Sequence, residues 1–379
     1  MQTQRDCPYC DFTLLVDGRN TFPKLLSCIE RAQKSILINM FIWRDDEIGN
    51  RLARAVLDAA DRGVAVTLSI DRYGVVLEKC EENKRSFFHK KQNFEERIKI
   101  KALECLYPAK GTPKRGRDVL SPLYLRMLEH PNIVLDCDRF KADHSKYYVF
   151  DNEILFLGGI NVEDKENGAD MQGRIYQDYM VMMVGKEHVA AFFDKLERGT
   201  DTAKGYSFTI NRKSLDLFEM EQTYLDMIRS AKRELHITMS YFSPLPRLLC
   251  EIVAAHRRGV SVTVLLPASS NFQNSSNYKT AKLLMRRTDN GIRLLLSPKM
   301  VHTKMIMTEN RISLGSTNLT KKSFSQLDEL NLCLERIESD FCDALLESVL
   351  ENVALCECIR DEKQISYNRL LAFLEGFLV

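Results

Sequence analysis

Three blocks of this chain occur twice, in the same order, and that repetition limits the fold more than any other feature. ARAVLDAADRGVAVTLSID, ending at Asp71, resembles CEIVAAHRRGVSVTVLLP, ending at Pro267, with Gly63 matching Gly259. Upstream, CIERAQKSILINMFI matches MIRSAKRELHITMSYF, aligning Ala32 with Ala231. Downstream, HSKYYVFDNEILFLGGIN matches HTKMIMTENRISLGSTN, aligning His144 with His302 and Asn161 with Asn318. The glycines stand 196 apart and the histidines 158 apart, so the first half carries about 38 additional residues, placed near 78–120.

Each copy reads as an alternating α/β unit. Phe22, Leu25, Leu26 and Ile29 follow a helical stripe, and SILINMFI after them is a short apolar run of buried-strand type. Ile48, Leu52, Val56 and Ala59 resume helical spacing, Gly63 ends that helix, and Val64, Val66, Leu68 and Ile70 alternate as a strand. The expected fold class is α/β: two similar domains, each a largely parallel mixed sheet flanked by helices, related by pseudo-twofold symmetry. The expected division is residues 1–200, with the insertion at about 78–120, a polar linker at 201–214, and residues 215–379.

The third block carries chemistry. Residues two apart on a strand share a face, so His144 with Lys146, and His302 with Lys304, each present a base beside a fixed cation. A lone HxK pair is most often an ordinary surface feature, whereas two copies in register inside a repeat are not. Each is followed by a glycine turn and an Asn, GGIN ending at Asn161 and GSTN ending at Asn318. Gly159 and Ser316 occupy matching places in turns whose backbone can approach an anion closely, and they join the two asparagines as expected phosphate-binding residues.

Two-step displacement at a phosphodiester needs a nucleophile and a separate acid for the leaving alcohol, and two imidazoles can divide those roles. Lys146, Lys304, Asn161 and Asn318 would then face the non-bridging oxygens. Each histidine needs a carboxylate on its other nitrogen, and Asp178 and Glu329 are the candidates, 34 and 27 residues beyond His144 and His302 respectively. Because the lysines supply the positive charge, neither a metal nor another cofactor is expected.

Composition narrows the partners. Lys and Arg number 54 against 52 Asp and Glu, a net charge of +2 that exerts no global pull on nucleic acid. MQTQRDCPYC has neither a basic lead nor an apolar run, and no stretch of about eighteen uncharged apolar residues occurs elsewhere, so any membrane contact is expected to be peripheral. The eleven cysteines, among them Cys28, Cys250, Cys333 and Cys342 in apolar-patterned segments, read as reduced, core-packed thiols and a cytoplasmic setting. The CPYC pair Cys7 and Cys10 reads neither as half a zinc site, with Cys356 and Cys358 the other close pair, nor as a redox pair.

These residues resemble the phospholipase D superfamily, whose signature is HxK, four residues and Asp, then GG or GS, one residue and Asn. His144, Lys146 and Asp151 fit it, whereas Glu309 replaces the Asp in the second copy. The likeness spans nearly the whole chain outside the insertion. GSTNLTKKSFSQLDELN, with Ser323 and Glu329, is similar to the cardiolipin synthase branch, although Lys321-Lys322 stands where that branch has Pro-Arg. LLVDGRNTFPKLLSCIERAQKSILINMFIWRDDEIG is similar to the opening of bacterial cardiolipin synthases. The resemblance implies two phospholipase D-like domains, phosphatidyl transfer between phospholipid or glycerol-type alcohols through a phosphohistidine, and His144 as nucleophile with His302 as acid and then base. A hydrolase using the same residues, on phospholipids or nucleic-acid diesters, and a non-catalytic lipid-binding protein are the alternatives. Intact His, Lys and Asn in both copies argue against the last.

Residues 78–118 hold twelve Lys or Arg and seven Asp or Glu. Phe87, Phe94, Ile98 and Cys105 are expected on one helical face, with Lys84, Lys91, Lys99 and Lys101 around it, and such a helix suits either an anionic lipid surface or ordinary packing. The C-terminal stripe Leu370, Phe373, Leu374 and Phe377 is expected to close the core. The expected partners are therefore a phospholipid substrate and an anionic membrane surface, and not nucleic acid.

Overall fold

The structure, a computed structural model, describes residues 7–81, 85–89, 91–107 and 119–376. Lys84 and Phe377 lie outside the described residues. The first half runs β1 (Phe12–Val16), α1 (Asp17–Arg31), β2 (Ser35–Met40), α2 (Glu47–Asp61), β3 (Ala65–Ile70), α3 (Gly74–Cys80), α4 (Phe94–Leu106), α5 (Pro122–Glu129) and β4 (Ile133–Asp136). It continues with β5 (Tyr147–Phe150), β6 (Ile154–Gly158), β7 (Tyr176–Gln177), β8 (Tyr179–Val184) and α6 (Lys186–Arg198).

The second half runs β9 (Tyr206–Arg212), β10 (Leu217–Phe218), α7 (Met220–Ser230), β11 (Glu234–Met239), β12 (Phe242–Ser243), α8 (Pro246–Arg257), β13 (Ser261–Pro267), α9 (Asn274–Arg287) and β14 (Arg293–Ser297). After it come β15 (Met300–Val301), β16 (Lys304–Thr308), β17 (Arg311–Gly315), β18 (Leu319–Thr320), α10 (Lys321–Ser325), β19 (Glu329–Glu335), α11 (Asp340–Leu355), β20 (Glu357–Ile359) and α12 (Arg369–Glu375).

The repeat in the sequence is a repeat of topology. Strand order β8-β6-β5-β2-β3-β4 in one sheet matches β19-β17-β16-β11-β13-β14 in the other, with β1 at the edge of the first and β10, β9 and β20 completing the second. Both sheets are mixed. Strands β2, β3 and β4 run parallel, as do β11, β13 and β14, but the HxK-led strands β5 and β16 return antiparallel to β2 and β11. The parallel part is therefore smaller than the βαβ order suggests.

Packing explains the elements. Helix α1 buries Phe22, Leu25 and Ile29, and α2 buries Ile48, Leu52, Val56 and Ala59, against the Val66, Leu68 and Ile70 face of β3. Asp46 caps α2 by accepting from the Gly49 N–H at 3.0 Å. Gly63 and Gly259 both hold φ near +90°, at +96° and +89°, where a side chain would be strained. Leu235, Ile237, Leu248, Ile252, Val262 and Val264 form the corresponding core of the other half.

The two compact units differ from the expected division. Among the described residues, one unit holds the chain up to Leu14, Gln177–Tyr179 and everything from Ala191, and the other holds Leu15–Tyr176 and Met180–Ala190. Half of the expected linker at 201–214 is strand, because Phe208 and Ile210 are buried and β9 pairs antiparallel with β19. Tyr9 of the CPYC segment is buried in that unit, its hydroxyl donating to the Gly205 carbonyl at 2.7 Å and accepting from the Glu335 N–H at 2.9 Å.

Other expectations also change. Cys333 and Cys342 are buried, but Cys250 is exposed and Cys28 half-buried. Leu370, Phe373 and Leu374 on α12 face solvent, because that helix packs instead through Ala372 and Glu375, whose carboxylate accepts from the Ser276 N–H at 2.6 Å. Phe87 is fully buried and not on α4, which packs through Glu96, Ile100 and Leu103 and leaves Phe94, Ile98 and Cys105 exposed. No helix among the described residues is long and apolar enough to cross a membrane.

Candidate active site

Each HxK pair sits at the start of its strand, not within it. Lys146 precedes β5, and Lys304 is the first residue of β16, so the histidines lie on the approach to the strands. In both copies the lysine is buried and its Nζ donates to the carbonyl of its own histidine, His144 or His302. Lys146 Nζ lies 5.2 Å from the centre of the Phe41 ring, which meets the His144 ring edge-on at 4.8 Å. Lys304 Nζ also donates to Ser240 Oγ at 3.3 Å.

Asp178 lies on His302, not on His144 as the spacing along the chain suggested. Its Oδ2 accepts from His302 Nδ1 at 2.9 Å and lies 3.8 Å from Lys304 Nζ, and the Gln177 carbonyl accepts from the His302 N–H at 2.8 Å. Gln177–Tyr179 folds with the half that contains His302, and this is why sequence distance misassigned the partner. Burial acts to raise the Asp178 pKa, but Lys304 and His302 outweigh it and hold the carboxyl below its ordinary value. Asp178 is therefore ionised, and with Nδ1–H pointed at it His302 keeps Nε2 for chemistry.

Glu329 does not hold His302 Nδ1. Its Oε2 accepts from Ser316 Oγ, and Ser316 Oγ in turn accepts from the Leu330 N–H at 3.0 Å. The expected phosphate-binding role of Ser316 therefore changes: its hydroxyl proton goes to Glu329, and its N–H goes to the Leu330 carbonyl at 3.0 Å. Gly159 lies buried in the bend after β6. Gly315, just before Ser316, has no room for a side chain, since a Cβ there would fall 2.3 Å from the Leu330 carbonyl oxygen.

Asn161 and Asn318 are 3% and 4% exposed, and the Oδ1 of each has no hydrogen-bond partner among the described residues. A buried amide oxygen without a partner costs about 1–3 kcal/mol, and here the cost falls at matching positions of the two copies. The acids after each HxK strand are structural. Asp151 accepts from the N–H groups of Gln33, Lys34 and Ser35 at 2.7–2.9 Å, and Glu309 accepts from those of Lys232 and Glu234 at 2.9 and 3.3 Å. The longer Glu side chain performs the same turn-holding task.

Some positioning residues had no sequence signal. Asp71, at the end of β3, accepts from the N–H groups of Tyr73, Lys141 and Asp143 at 2.8, 3.1 and 2.7 Å, and so fixes the loop that delivers His144. Arg44 pairs with Glu163 and, at 2.9 Å, with Glu81, while Lys165 Nζ lies 2.7 Å from Glu81. This buried network ties the start of the insertion to the loop that follows Asn161. Glu78 beside it is pushed up to about 7 by burial. In the other half Asn331 accepts from the Thr317 N–H at 3.2 Å and donates to Tyr224 Oη and Ser313 Oγ, which braces the GSTN turn.

The family described as cardiolipin synthase, PLD-like domain, matches residues 25–198 and 224–347, the two copies of the repeat. The chain belongs to that family. Its curated relatives include cardiolipin synthase of Listeria monocytogenes, 25% identical over 375 residues and covering 90% of this chain and 69% of the relative. Cardiolipin synthase B of Salmonella typhi is 26% identical over 354 residues, covering 85% of this chain and 75% of the relative. The fold is similar to that of phosphatidylserine synthase from Haemophilus influenzae Rd KW20, with a TM-score of 0.69 at 11% identity over 97% of this chain and 91% of that one. Polyphosphate kinase from Porphyromonas gingivalis shares it at a TM-score of 0.53 and 12% identity, over 99% of this chain and 55% of that one. Membership in the cardiolipin synthase, PLD-like family makes the chain an enzyme of the phospholipase D superfamily.

Proposed function

We propose that this chain is a phosphatidyltransferase of cardiolipin synthase type, which cleaves a phospholipid phosphodiester and passes the phosphatidyl group to a second alcohol. The observation that carries the reading is the ionised, buried Asp178 on His302 Nδ1 beside Lys304, a constellation suited to carrying a proton next to a phosphoryl group. His144 Nε2 attacks phosphorus and the bond to the leaving alkoxide breaks, with its proton supplied by His302 Nε2. The acceptor alcohol then gives its proton to His302 and attacks phosphorus, the P–N bond breaks, and His144 is restored. Lys146, Lys304, Asn161 and Asn318 stabilise the charge that grows on the non-bridging oxygens.

A lipid substrate places the chain at a membrane surface, as a peripheral protein on the cytoplasmic side. Incubation of the pure chain with phosphatidylglycerol vesicles, followed by mass spectrometry of the lipids, tests the reading. Cardiolipin is expected; phosphatidic acid alone would mean a hydrolase, and no product would leave a lipid-binding protein. The covalent step has its own test. His302→Ala, quenched at high pH on a p-nitrophenyl diester, should accumulate an acid-labile adduct on the protein, and His144→Ala should form none. The reverse pattern would exchange the two roles.

A further inference from the structure

The insertion places an exposed apolar and basic face at the catalytic edge of its unit. Arg72 lies two residues beyond β3, and its Nε donates to Glu96 of α4 at 2.7 Å while its N–H donates to the Arg139 carbonyl at 3.1 Å. The first turn of α4 and the Asp138–Lys141 stretch therefore flank one arginine, next to Asp71, which holds the loop leading to His144. On this rim Phe94 is 78% exposed, Ile98 53% and Phe140 46%. Phe94 and Ile98 stand four apart on the outer face of α4, and Lys101 and Cys105 continue that face.

Charge distinguishes this rim from an ordinary apolar blemish. Lys91, Arg97, Lys99, Lys101 and Arg139 are all exposed. Among the described acids of the insertion, Glu78 and Glu96 are buried and Glu81 is paired with Arg44 and Lys165, which leaves Glu95 exposed and Glu104 half-buried. Lys99 and Arg139 make ion pairs at 2.6 Å with Glu95 and Asp136, which are exposed pairs of little worth that a stronger anionic field would displace. The surface is thus more cationic than its composition, with bulky apolar groups projecting among the cations.

We propose that this face, Phe94, Ile98 and Phe140 set among Arg97, Lys99 and Lys101, docks the chain onto an anionic phospholipid bilayer. The proposal rests on the phosphatidyltransferase reading, because a site that takes lipid needs its rim at the bilayer surface. The apolar side chains enter the headgroup boundary while the lysine and arginine stems reach back to the phosphates. The partner is a lipid surface because exposed aromatic and aliphatic groups ringed by cations match anionic headgroups over acyl chains, whereas a protein interface core is depleted of charge.

Co-sedimentation of the full chain with phosphatidylglycerol or phosphatidylcholine vesicles tests the proposal. Wild type should prefer phosphatidylglycerol. F94S/I98S/F140S should bind at least about tenfold more weakly, and R97E/K99E/K101E at least about a hundredfold, at roughly fivefold per cation removed. Both variants should lose turnover on vesicles while cleaving a soluble p-nitrophenyl diester at the wild-type rate. In Phe94→Trp, emission should shift to the blue on adding phosphatidylglycerol vesicles, against a constant background from the buried Trp43. Undiminished binding and vesicle turnover in both variants, or no shift in Phe94→Trp, would overturn the docking face and leave the catalytic reading intact. Wild-type binding that the variants lose, with no lipid product from any of them, would support the docking face and reject the transferase. A wild-type dimer that the variants dissociate, without a change in vesicle binding, would assign the face to a second copy and overturn the proposal.

Discussion

Asp178→Asn removes one charge from the most enclosed part of the site. The carboxylate lies 2.9 Å from His302 Nδ1 and 3.8 Å from Lys304 Nζ, with almost no exposure. At an effective dielectric of about 20, a unit charge 4 Å away is worth about 4 kcal/mol, and this is the order of stabilisation lost when His302 carries a proton. The amide can also turn its NH2 toward Nδ1 and select the wrong tautomer. A comparable replacement in a histidine-carboxylate triad costs about 10⁴ in kcat, or roughly 5.5 kcal/mol. We expect kcat on a soluble diester to fall by about 10³–10⁴ with KM little changed. Lys304 loses its buried counter-charge, so urea unfolding should also show a loss of about 3 kcal/mol. In a His302→Ala background Asp178→Asn should reduce activity little further, because the two residues act as one device. A folded Asp178→Asn variant with kcat within about tenfold of wild type, or one whose effect is fully additive with His302→Ala, would refute the assignment.

Other outcomes follow from the same geometry. His144→Ala and His302→Ala should each reduce turnover by several orders of magnitude, and Lys146→Met and Lys304→Met should be severely impaired, checked by steady-state kinetics on folded protein. Burial pushes His236 down to about 4, below its unfolded value near 6.5, so the stability it permits is full above about 6.5 and is lost as pH falls toward 4. His236→Gln should therefore flatten the acid loss of stability by about 3 kcal/mol, measured by urea unfolding across that window. Tyr148 is fully buried and its hydroxyl has no hydrogen-bond partner among the described residues, so Tyr148→Phe should leave Tm unchanged or raise it, by about 1 kcal/mol of stability at most. A clear destabilisation would mean that the hydroxyl has a partner.

The duplicated architecture is readable from the residues alone. The repeat shows in part because some of its constraints are local: Gly63 and Gly259 end matching helices at a positive φ that favours glycine. The helices α1 and α2 were legible for the same reason, since a buried stripe of period 3.6 is written in neighbouring residues. Tertiary structure decided what depends on groups remote in sequence. Which histidine Asp178 serves was not readable, because Gln177–Tyr179 folds with a segment more than a hundred residues away. Asp71 and Arg44 gave no signal of their positioning roles, since a buried carboxylate or guanidinium is recognised only by the backbone and charges folded around it. The outer face of α4 was settled in the same way. Periodicity placed Phe94 and Ile98 together, but the pairing of Arg72 with the buried Glu96 turned that face to solvent, because the side of α4 that carries Glu96 packs inward and the opposite side is left out.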